Sequence, residues 1–281
     1  MPKYGMNLLL WTTHVTAKDF ATIKAIGKAG YDGVELPVFE GNLEHYKGVK
    51  KVLDDQNLGA TTVTVMSAER NPVSPDAKIR SAAVDHLKWA IDMTAALGGD
   101  ALCGPLHSGL GIFSGKSATD DERKRSADVL RKAGDHAQKA GIELSIEYLN
   151  RFENYLLTTA DECAAHVERI AHPSVGMMWD TFHAHIEEKN SPAAFKRVAK
   201  YVNHIHISEN DRGTPGTGQV MWNETFAAMK KAKYDGWLTI EAFGRALPDL
   251  AAATRVWRDL FAKPEDVYVK GLKFMKKMWA A

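Results

Sequence analysis

Three acidic residues and one histidine occupy equivalent places in the second half of the chain, each at the end of a short apolar run. They are Glu147 in Ser-Ile-Glu-Tyr-Leu, Asp180 in Met-Trp-Asp-Thr-Phe, His206 in His-Ile-His-Ile-Ser and Glu241 in Thr-Ile-Glu-Ala-Phe. If these side chains converge, they cannot all ionise without compensation, because like charges in contact repel strongly. A divalent cation would supply that compensation. Carboxylate-rich ligation with one histidine suits Mn²⁺ or Mg²⁺, and also Co²⁺, and is less typical of structural zinc. One such residue alone is more often a helix N-cap or an ion-pair partner, but four in series favour a metal site.

Eight short apolar runs recur along the chain, each bounded by Gly, Asn, Asp or Pro, and such runs are typical of β-strands. The predicted strands are Met6–Trp11, Gly33–Val38, Ala60–Met66, Ala101–Leu106, Glu143–Leu149, Val175–His183, Val202–Ser208 and Trp237–Phe243. Segments with apolar residues at three- and four-residue spacing, such as Ile79–Leu97 and Ala127–Ala137, lie between the strands and predict helices. Gly30, Gly98 and Gly141 stand where glycine commonly ends a helix. Eight such alternations predict an α/β protein of the (β/α)₈ TIM-barrel class.

The alternative architecture is an open doubly wound sheet, which would show a glycine-rich phosphate turn after its first strand. Here Trp11-Thr12-Thr13-His14 follows that strand, and no Walker or G-x-S-x-G motif is present. No linker rich in Pro, Gly or Ser interrupts the pattern, so we predict a single barrel domain over residues 1–281. The tail from Glu265 to Trp279 predicts one extra amphipathic helix at the C-terminus.

Strand alternation predicts which side chains point into the barrel, because successive residues face opposite sides of a strand. In three strands a polar pair alternates with an aliphatic pair: Ser145 and Glu147 with Leu144 and Ile146, His204 and His206 with Ile205 and Ile207, Thr239 and Glu241 with Leu238 and Ile240. The aliphatic residues suit packing against helices. We therefore expect the polar residues to face the interior, at the carboxyl ends of the strands, where barrel enzymes carry their active sites.

The composition excludes several classes of protein. The chain has 281 residues, 45% of them hydrophobic and 25% charged, with a formal net charge of +1, which is ordinary for a globular protein. The near-neutral charge argues against a nucleic-acid partner, and no run approaches the roughly 18 apolar residues that a membrane span requires. Only two cysteines are present, Cys103 and Cys163. They predict no disulfide framework, a reducing cytoplasmic location and a buried packing role for both thiols.

Four segments, taken in order, resemble the ketose 3-epimerases. They are Glu147–Glu153 (EYLNRFE), Asp180–His183 (DTFH), His204–Arg212 (HIHISENDR) and Ile240–Phe243 (IEAF). The family includes the D-tagatose, D-allulose (D-psicose) and L-ribulose 3-epimerases, within the xylose-isomerase-like barrel superfamily. The resemblance extends over essentially the whole chain, including Asn7–Trp11 on the first predicted strand.

This resemblance implies a ligand set, a substrate and an assembly. The metal ligands of the family fall on Glu147, Asp180, His206 and Glu241, and its substrate-binding polar residues fall on Glu153, His183 and Arg212. The implied metal is Mn²⁺ first, with Co²⁺ or Mg²⁺ as alternatives. A small-molecule ketose substrate and a homodimer or homotetramer are implied as well.

Three positions depart from the pattern of many relatives. Tyr148 stands where they have Pro or Val, Trp179 where they have Leu, and His185 where they have Asn. By strand alternation Tyr148 and Trp179 face the helices, so we expect neither to touch the chemistry. His185 lies beyond the strand end and could alter the rim of the site, which leaves the exact sugar open.

The chemistry that such a site would support is epimerisation of a free ketose at C3 through a cis-enediolate. Inverting a carbon next to a ketone requires removing its proton and returning one to the opposite face, so two opposed acid/base groups are needed. A metal would polarise the ketone as a Lewis acid, and chelation of O2 and O3 would hold the enediolate while its charge develops. Glu147 and Glu241 come from the outer two of the four ligand strands and could approach from opposite sides. The resemblance assigns both a double role as ligand and acid/base group.

The polar supporting residues each have a structural alternative. Arg212 could bind a sugar hydroxyl or be a solvated loop charge. Glu153 could bind the terminal hydroxyls of the substrate or pair with Arg151. His183 could bind substrate, orient a ligand or make a plain hydrogen bond.

The apolar supporting residues are equally open. Trp11 and Phe243 could form a wall for the carbon face of the sugar, or they could fill the barrel core. The glycine-rich stretch His107–Gly115 could be a mobile lid or a plain flexible loop.

Three other functions compete with the epimerase. A metal-dependent abasic-site endonuclease would need further ligands on the early strands, which offer little beyond His14, Glu35 and Glu69, and a basic surface for phosphates. An aldose–ketose isomerase or a polyol dehydratase would use the same metal and enediolate chemistry. A catalytically silent sugar-binding barrel would differ from the epimerase, the isomerase and the dehydratase in exchanging no carbon-bound proton of its ligand with solvent.

Overall fold

The chain folds into a closed barrel of eight parallel strands, in which each strand pairs with its sequence neighbour and the first pairs with the last. The computed structural model describes residues 1–281. The strands are β1 (Lys3–Asn7), β2 (Gly33–Pro37), β3 (Gly59–Val63), β4 (Ala101–Gly104), β5 (Glu143–Glu147), β6 (Val175–Asp180), β7 (Val202–Ile207) and β8 (Trp237–Ile240). The predicted (β/α)₈ barrel is confirmed.

The strands end earlier than the apolar runs predicted, and the first shows why. β1 ends at Asn7, whose side chain accepts a hydrogen bond of 2.8 Å from the backbone N–H of Leu9. That cap begins a short 3₁₀ turn over Leu8–Leu10, because an asparagine side chain offers the backbone an alternative to the strand ladder. The predicted strand therefore contains a strand and a turn, and Trp11 lies beyond both.

Ten α-helices surround the barrel, one after each strand except β6 and β8, which are each followed by two. They are α1 (Phe20–Ala29), α2 (Leu43–Asp55), α3 (Ala77–Leu97), α4 (Asp120–Ala140), α5 (Ala160–Ile170), α6 (Thr181–Glu187), α7 (Ser191–Val198), α8 (Trp222–Lys231), α9 (Pro248–Thr254) and α10 (Pro264–Ala280). The predicted C-terminal helix is confirmed as α10, which is additional to α9 and contacts both α8 and α1. It thereby closes the outer ring.

Three helices end at the glycines that the sequence predicted as helix ends. Gly30, Gly98 and Gly141 end α1, α3 and α4 with φ of 96°, 79° and 70°, a left-handed conformation that glycine adopts without a steric penalty. The chain then turns directly into the next strand, β2, β4 or β5.

The predicted division of the strand faces is also confirmed. The aliphatic residues of β5, β7 and β8 belong to one core that includes the inner faces of the helices. Trp179 packs edge-on against Phe195 of α7, with ring centroids 5.2 Å apart, and lies 6.1 Å from Tyr148. Tyr148 and Trp179, two of the three departures from the family pattern, therefore face the helices. Cys163 is a buried core residue, as predicted. None of the helices is long and apolar enough to cross a membrane.

Candidate active site and metal centre

The four candidate ligands converge at one end of the barrel. Glu147, Asp180, His206 and Glu241 each offer one donor atom, and these four atoms lie within 4.8 Å of one another. Asp180 and His206 are paired in register on β6 and β7, Glu147 is the last residue of β5, and Glu241 directly follows β8. All four side chains are buried. Because the strands are parallel, their carboxyl ends meet, and residues from four consecutive strands reach the same point.

His206 has a distinct environment at each ring nitrogen. Nδ1 faces the carboxylates, 3.4 Å from Glu241 Oε1 and 3.7 Å from Asp180 Oδ2, and it is buried without a hydrogen-bond partner. Nε2 points the other way and lies 2.7 Å from Glu35 Oε1. A buried nitrogen without a partner, surrounded by carboxylate oxygens, is what a cation-binding donor set requires. One imidazole nitrogen and three carboxylates therefore fit a divalent cation such as Mn²⁺, Co²⁺ or Mg²⁺.

Arg212 places a positive charge next to the carboxylates of Asp180 and Glu241. Its Nη1 donates to Glu241 Oε2 and lies 3.6 Å from Asp180 Oδ2. The guanidinium is held between aromatic rings, with its carbon 3.9 Å from the Phe182 centroid and 4.9 Å from that of Phe243. Burial acts to lower the pKa of Arg212, but the neighbouring carboxylates outweigh it, so that the pKa is raised above its ordinary value. Arg212 is buried, which excludes the alternative that it is a solvated charge on a loop.

His183 connects Glu147 to the loop after β5. Its Nδ1 accepts a hydrogen bond of 3.0 Å from the backbone N–H of Asn150, which leaves the proton of the neutral ring on Nε2. Nε2 lies 3.5 Å from Glu147 Oε1. The Asn150 side chain also donates to Glu153 Oε1 at 2.8 Å. His183 and Glu153 are therefore ordered by the same asparagine, which the sequence analysis did not single out.

Glu153 is not paired with Arg151, the alternative that the sequence left open. Arg151 forms its ion pair with Glu187 at 2.8 Å, while Glu153 Oε1 lies 3.9 Å from Arg212 Nη2. Glu153 therefore faces the cavity, together with the other candidate polar residues.

The carboxylates differ in how readily they hold a proton. Burial raises the pKa of Glu147, as do the neighbouring Glu241 and Asp180 carboxylates, and His183 offsets only part of the effect. Burial also acts to raise the pKa of Asp180, but the combined contacts with His206, His183 and Arg212 hold it below the ordinary range. Asp180 is therefore the stable anion of the set, whereas Glu147 takes up a proton more readily than an ordinary glutamate does.

A cleft of about 550 Å³, including its opening, leads to these residues. Its polar residues are Glu147, Glu153, His183, Arg212, Glu241 and Thr254, and the remaining wall is largely apolar, with Leu9, Phe39, Val63, Leu110 and Phe243 among its residues. Leu250, Ala253 and Thr254 of α9 complete one side. Phe243 thus lies where a sugar wall was predicted.

Trp11 does not line this cleft, contrary to the expectation that it forms part of the wall. Its ring packs against Tyr268 of α10, with centroids 6.0 Å apart. The reason is the 3₁₀ turn over Leu8–Leu10, which brings Leu9 to the cleft and carries Trp11 outward to the helices. Leu9 and Phe243 are therefore among the apolar residues of the wall, and Trp11 is not.

The stretch His107–Gly115 is divided between a fixed and an exposed part. His107, Ser108 and Gly109 are buried, and the His107 carbonyl accepts a hydrogen bond of 2.7 Å from Ser126. Leu110 contributes to the cleft wall, and residues 111–115 are exposed. Any lid in this stretch is therefore confined to the residues after Leu110.

Two buried glutamates that the sequence analysis did not assign support the site. Glu209 accepts hydrogen bonds from the backbone N–H groups of Asn210, Gly216 and Val220 and from the Trp222 indole, at 2.8–3.2 Å, and so fixes the loop that carries Arg212. Glu35 of β2 contacts His204 and His206. Burial alone would raise the pKa of Glu35, but these two histidines hold it well below the usual range. The position of Glu35 in the middle of the apolar run Gly33–Val38 is the sequence feature that could have identified it.

Cys103 has the buried packing role that was predicted, in a small apolar cluster with Val63 and Met178, and it also has polar neighbours. It is fully buried, but its Sγ lies 3.2 Å from Glu35 Oε2 and 3.9 Å from His206 Nε2. The side chain points into the barrel because it occupies an inward position of β4. Burial, followed by the Glu35 carboxylate, holds the pKa of this thiol well above its ordinary value.

Comparison with known proteins places this chain in a family. A family model described as the xylose isomerase-like TIM barrel matches residues 23–278. An L-ribulose 3-epimerase of Methylomonas sp. strain DH-1 is 30% identical over 280 residues, which cover 99% of this chain and 98% of that protein. The chain belongs to the ketose 3-epimerase family. This epimerase is also 31% identical to a D-psicose 3-epimerase of Ruminiclostridium cellulolyticum, over 92% of this chain and 89% of that protein.

Solved structures agree with the family at the level of the whole fold. A D-allulose 3-epimerase from Methylomonas sp., in complex with D-allulose, matches the epimerase with a TM-score of 0.92 at 29% identity, covering 99% of this chain and 97% of that one. The predicted family is confirmed, and the protein is an enzyme that epimerises carbohydrates. The choice among the functions that the sequence left open therefore falls on a ketose epimerase.

Proposed function

We propose that this epimerase inverts C3 of a free ketose and that Glu147, Asp180, His206 and Glu241 hold the divalent cation it requires. The observation that carries the proposal is the convergence of these four donors within 4.8 Å, with a buried His206 Nδ1 that has no partner. Such a cation polarises a ketone oxygen and offsets the negative charge that develops when the neighbouring carbon loses its proton. We propose Mn²⁺ as this cation, with Co²⁺ or Mg²⁺ as substitutes.

Glu147 and Glu241 are the proposed acid/base pair. They come from β5 and from the end of β8, on either side of the strands that carry Asp180 and His206. One carboxylate takes the C3 proton, which gives a cis-enediolate, and the other returns a proton to the opposite face. Reversal of the roles gives the reverse reaction. The raised pKa of Glu147 supports this assignment, because an acid/base group is most effective when its pKa approaches the working pH.

Glu153, His183 and Arg212 are the proposed polar contacts of the substrate, with Phe243 and Leu9 against its carbon face. Arg212 and His183 are the two basic residues of the cleft, and each of them already faces a carboxylate. Binding a phosphorylated sugar would require a further cation for its dianion. The lining therefore supports a ketose without phosphate as the substrate.

The assembly and the compartment belong to the same proposal. We propose a homodimer or homotetramer, following the resemblance of the chain to its family. A cytoplasmic location is supported by the two cysteines, which are both buried and free.

The proposal is tested by incubating the metal-loaded enzyme with a panel of five- and six-carbon ketoses and scoring the configuration at C3. Inversion that is lost after treatment with a chelator and regained with Mn²⁺ is the expected result. Formation of an aldose from the ketose would point to an isomerase instead. Absence of any turnover, with no exchange of carbon-bound protons in D₂O, would leave only a sugar-binding role.

A further inference from the structure

A second group of polar side chains lies in the barrel interior around Glu35 of β2. Glu35 is fully buried, and five side chains from four other strands place a potential donor atom 2.7–3.2 Å from its carboxylate. They are Asn7 of β1, Thr61 of β3, Cys103 of β4, and His204 and His206 of β7. A carboxylate in a dry interior is costly unless its oxygens are satisfied, and here both oxygens are.

The two oxygens of Glu35 are directed to different partners. Oε1 lies 2.7 Å from His206 Nε2 and 2.8 Å from Asn7 Nδ2. Oε2 accepts from Thr61 Oγ1 at 2.8 Å and faces His204 Nε2 at 2.8 Å and Cys103 Sγ at 3.2 Å. The contacts on Oε2 anchor the carboxylate, so that Oε1 has a fixed position below the His206 ring.

We propose that Glu35 is a positioning residue that holds His206 in the orientation and tautomer a metal ligand needs, an inference that rests on the proposed function. An ionised carboxylate accepts hydrogen bonds and does not donate them, so the ring nitrogen that faces Glu35 carries the proton. In a neutral imidazole the lone pair is then on Nδ1. Nδ1 is the atom that faces Asp180 and Glu241. A 180° flip of the ring would place ring carbons where the two nitrogens now lie and break the 2.7 Å contact.

The same cluster could instead be considered as a second metal site, since Glu35, Cys103, His204 and His206 each offer a donor within 4.8 Å of the others. The contacts to Glu35 argue against it. His206 Nε2 lies at hydrogen-bond distance from Glu35 Oε1, 2.7 Å, and His204 Nε2 lies 2.8 Å from Oε2 without forming a hydrogen bond. Both pairs of atoms are closer than two ligands stand across a tetrahedral ion with bonds of about 2.0–2.1 Å. We therefore assign the cluster to positioning.

The first experiment measures Mn²⁺ binding to metal-stripped enzyme by the EPR signal of free Mn²⁺. Glu35→Gln keeps the size of the side chain but removes its charge, and we expect Mn²⁺ binding about 10- to 100-fold weaker. Thr61→Val is the matched control, because it removes one contact of Oε2 and leaves His206 untouched; its affinity should stay within about threefold of wild type. The thermal midpoints of both variants are measured alongside. Equal affinity in Glu35→Gln and wild type, or an equal loss in Thr61→Val, would overturn the proposal.

The second experiment uses the wild-type enzyme and so does not depend on whether a variant folds. In Mg²⁺-loaded enzyme labelled with ¹⁵N-histidine, the His206 signals are assigned by comparison with His206→Asn. We expect a protonated Nε2 that exchanges slowly with solvent and an unprotonated Nδ1. A proton on Nδ1 would overturn the tautomer assignment. So would a second bound equivalent of metal that is lost in Cys103→Ser.

The two proposals fail in different ways. Wild-type enzyme that binds Mn²⁺ and inverts C3, but shows either of the contrary results above, would reject the role of Glu35 and leave the proposed function intact. Wild-type enzyme that binds no divalent cation would reject both.

Discussion

The Arg212 guanidinium donates to the Glu241 carboxylate and lies 3.6 Å from Asp180 Oδ2, so one arginine compensates two of the four candidate metal ligands. A cation bound by the same carboxylates would take over part of that compensation. Arg212 and the cation therefore stabilise the same buried charges, and the effect of removing one depends on the other.

The first prediction follows from this relationship. Arg212→Ala should destabilise the metal-stripped enzyme by about 3–5 kcal/mol, because it leaves buried carboxylates without their partner. Added Mn²⁺ should raise the thermal midpoint of the variant by more than that of wild type. The matched control is Arg151→Ala, whose partner Glu187 lies outside the site. Equal metal-induced shifts in Arg212→Ala and wild type would show that the arginine and the cation act independently. With metal saturating, turnover efficiency should fall about 10- to 30-fold through the loss of a substrate hydrogen bond.

The second prediction concerns the ligand set. Asp180→Ala and His206→Ala should each lower the metal content and reduce turnover by about three orders of magnitude or more, since the Lewis acid supplies several kcal/mol. Glu153→Gln is the matched control: it lies in the same cleft and should reduce turnover while retaining metal. Metal analysis of the purified variants measures the outcome. Wild-type metal content in either alanine variant would remove that residue from the ligand set.

The third prediction separates the two proposed acid/base groups. Wild-type enzyme turning over in D₂O should place deuterium at C3, because each carboxylate exchanges its proton with solvent. Glu147→Gln and Glu241→Gln should each abolish inversion in both directions, because each direction needs one carboxylate to take the C3 proton and the other to return a proton. Exchange without inversion should survive only for the epimer that faces the remaining carboxylate, and so for opposite epimers in the two variants.

Metal content must be measured in both of these variants, because an amide is a weaker ligand than a carboxylate. Epimerisation at wild-type rates by the metal-loaded variants would refute the pair. Inversion by wild type without solvent label at C3 would point to a shielded proton or to transient oxidation of the C3 hydroxyl.

The fourth prediction is that stability falls steeply below neutral pH because of two buried histidines, His107 and His166, that are not among the four candidate metal ligands. Burial lowers the pKa of His107 to about 3, assisted by His166, and that of His166 to about 4, assisted by Arg169 and Arg123. Above pH 6.5, the ordinary value, folded and unfolded forms are both neutral and the groups have no effect. Below it the unfolded chain binds protons that the folded chain does not, so stability is lost as the pH falls towards the folded values.

At about pH 4.5 each histidine should cost about 2–3 kcal/mol, as measured by denaturant unfolding at about pH 7.5 and about pH 4.5. His166→Gln should reduce the difference between the two pH values by that amount. Ser126→Ala, which loses the hydrogen bond of 3.1 Å to His166 Nε2 but keeps the histidine, should lower stability at both pH values. An unchanged pH dependence in His166→Gln would exclude this histidine as a cause.

The strands that carry the candidate ligands were predictable from the sequence because polar and apolar residues alternate along them. A polar residue every second position, with aliphatic residues between, determines the inward face of β5, β7 and β8 whatever the neighbouring strands contain. The order of strands in a parallel barrel then brings Glu147, Asp180, His206 and Glu241 together without further assumptions.

The parts that the sequence did not predict depend on contacts between distant segments. Glu35 is an isolated acid in an apolar run, and its role becomes visible only when His206, 171 residues away, is placed next to it. Trp11 was assigned to the cleft because the apolar run continued past Asn7. The Asn7 side chain accepts a hydrogen bond from Leu9 N–H and so ends the strand. The pattern of apolar residues does not predict this end.

The pairing of β1 with β8 and the contact of α10 with α1 have a consequence for synthesis on the ribosome. Residues 3–6 of the first strand find their partners only at residues 237–240, so β1 keeps one unpaired edge while more than 200 residues are being translated. The residues of the proposed metal centre, Glu147, Asp180, His206, Arg212 and Glu241, all come from the second half of the chain. Closure of the barrel and the assembly of the four candidate ligands both require β8 and the Glu241 that follows it, so a nascent chain that stalls before β8 exposes a sheet edge and lacks one of these ligands.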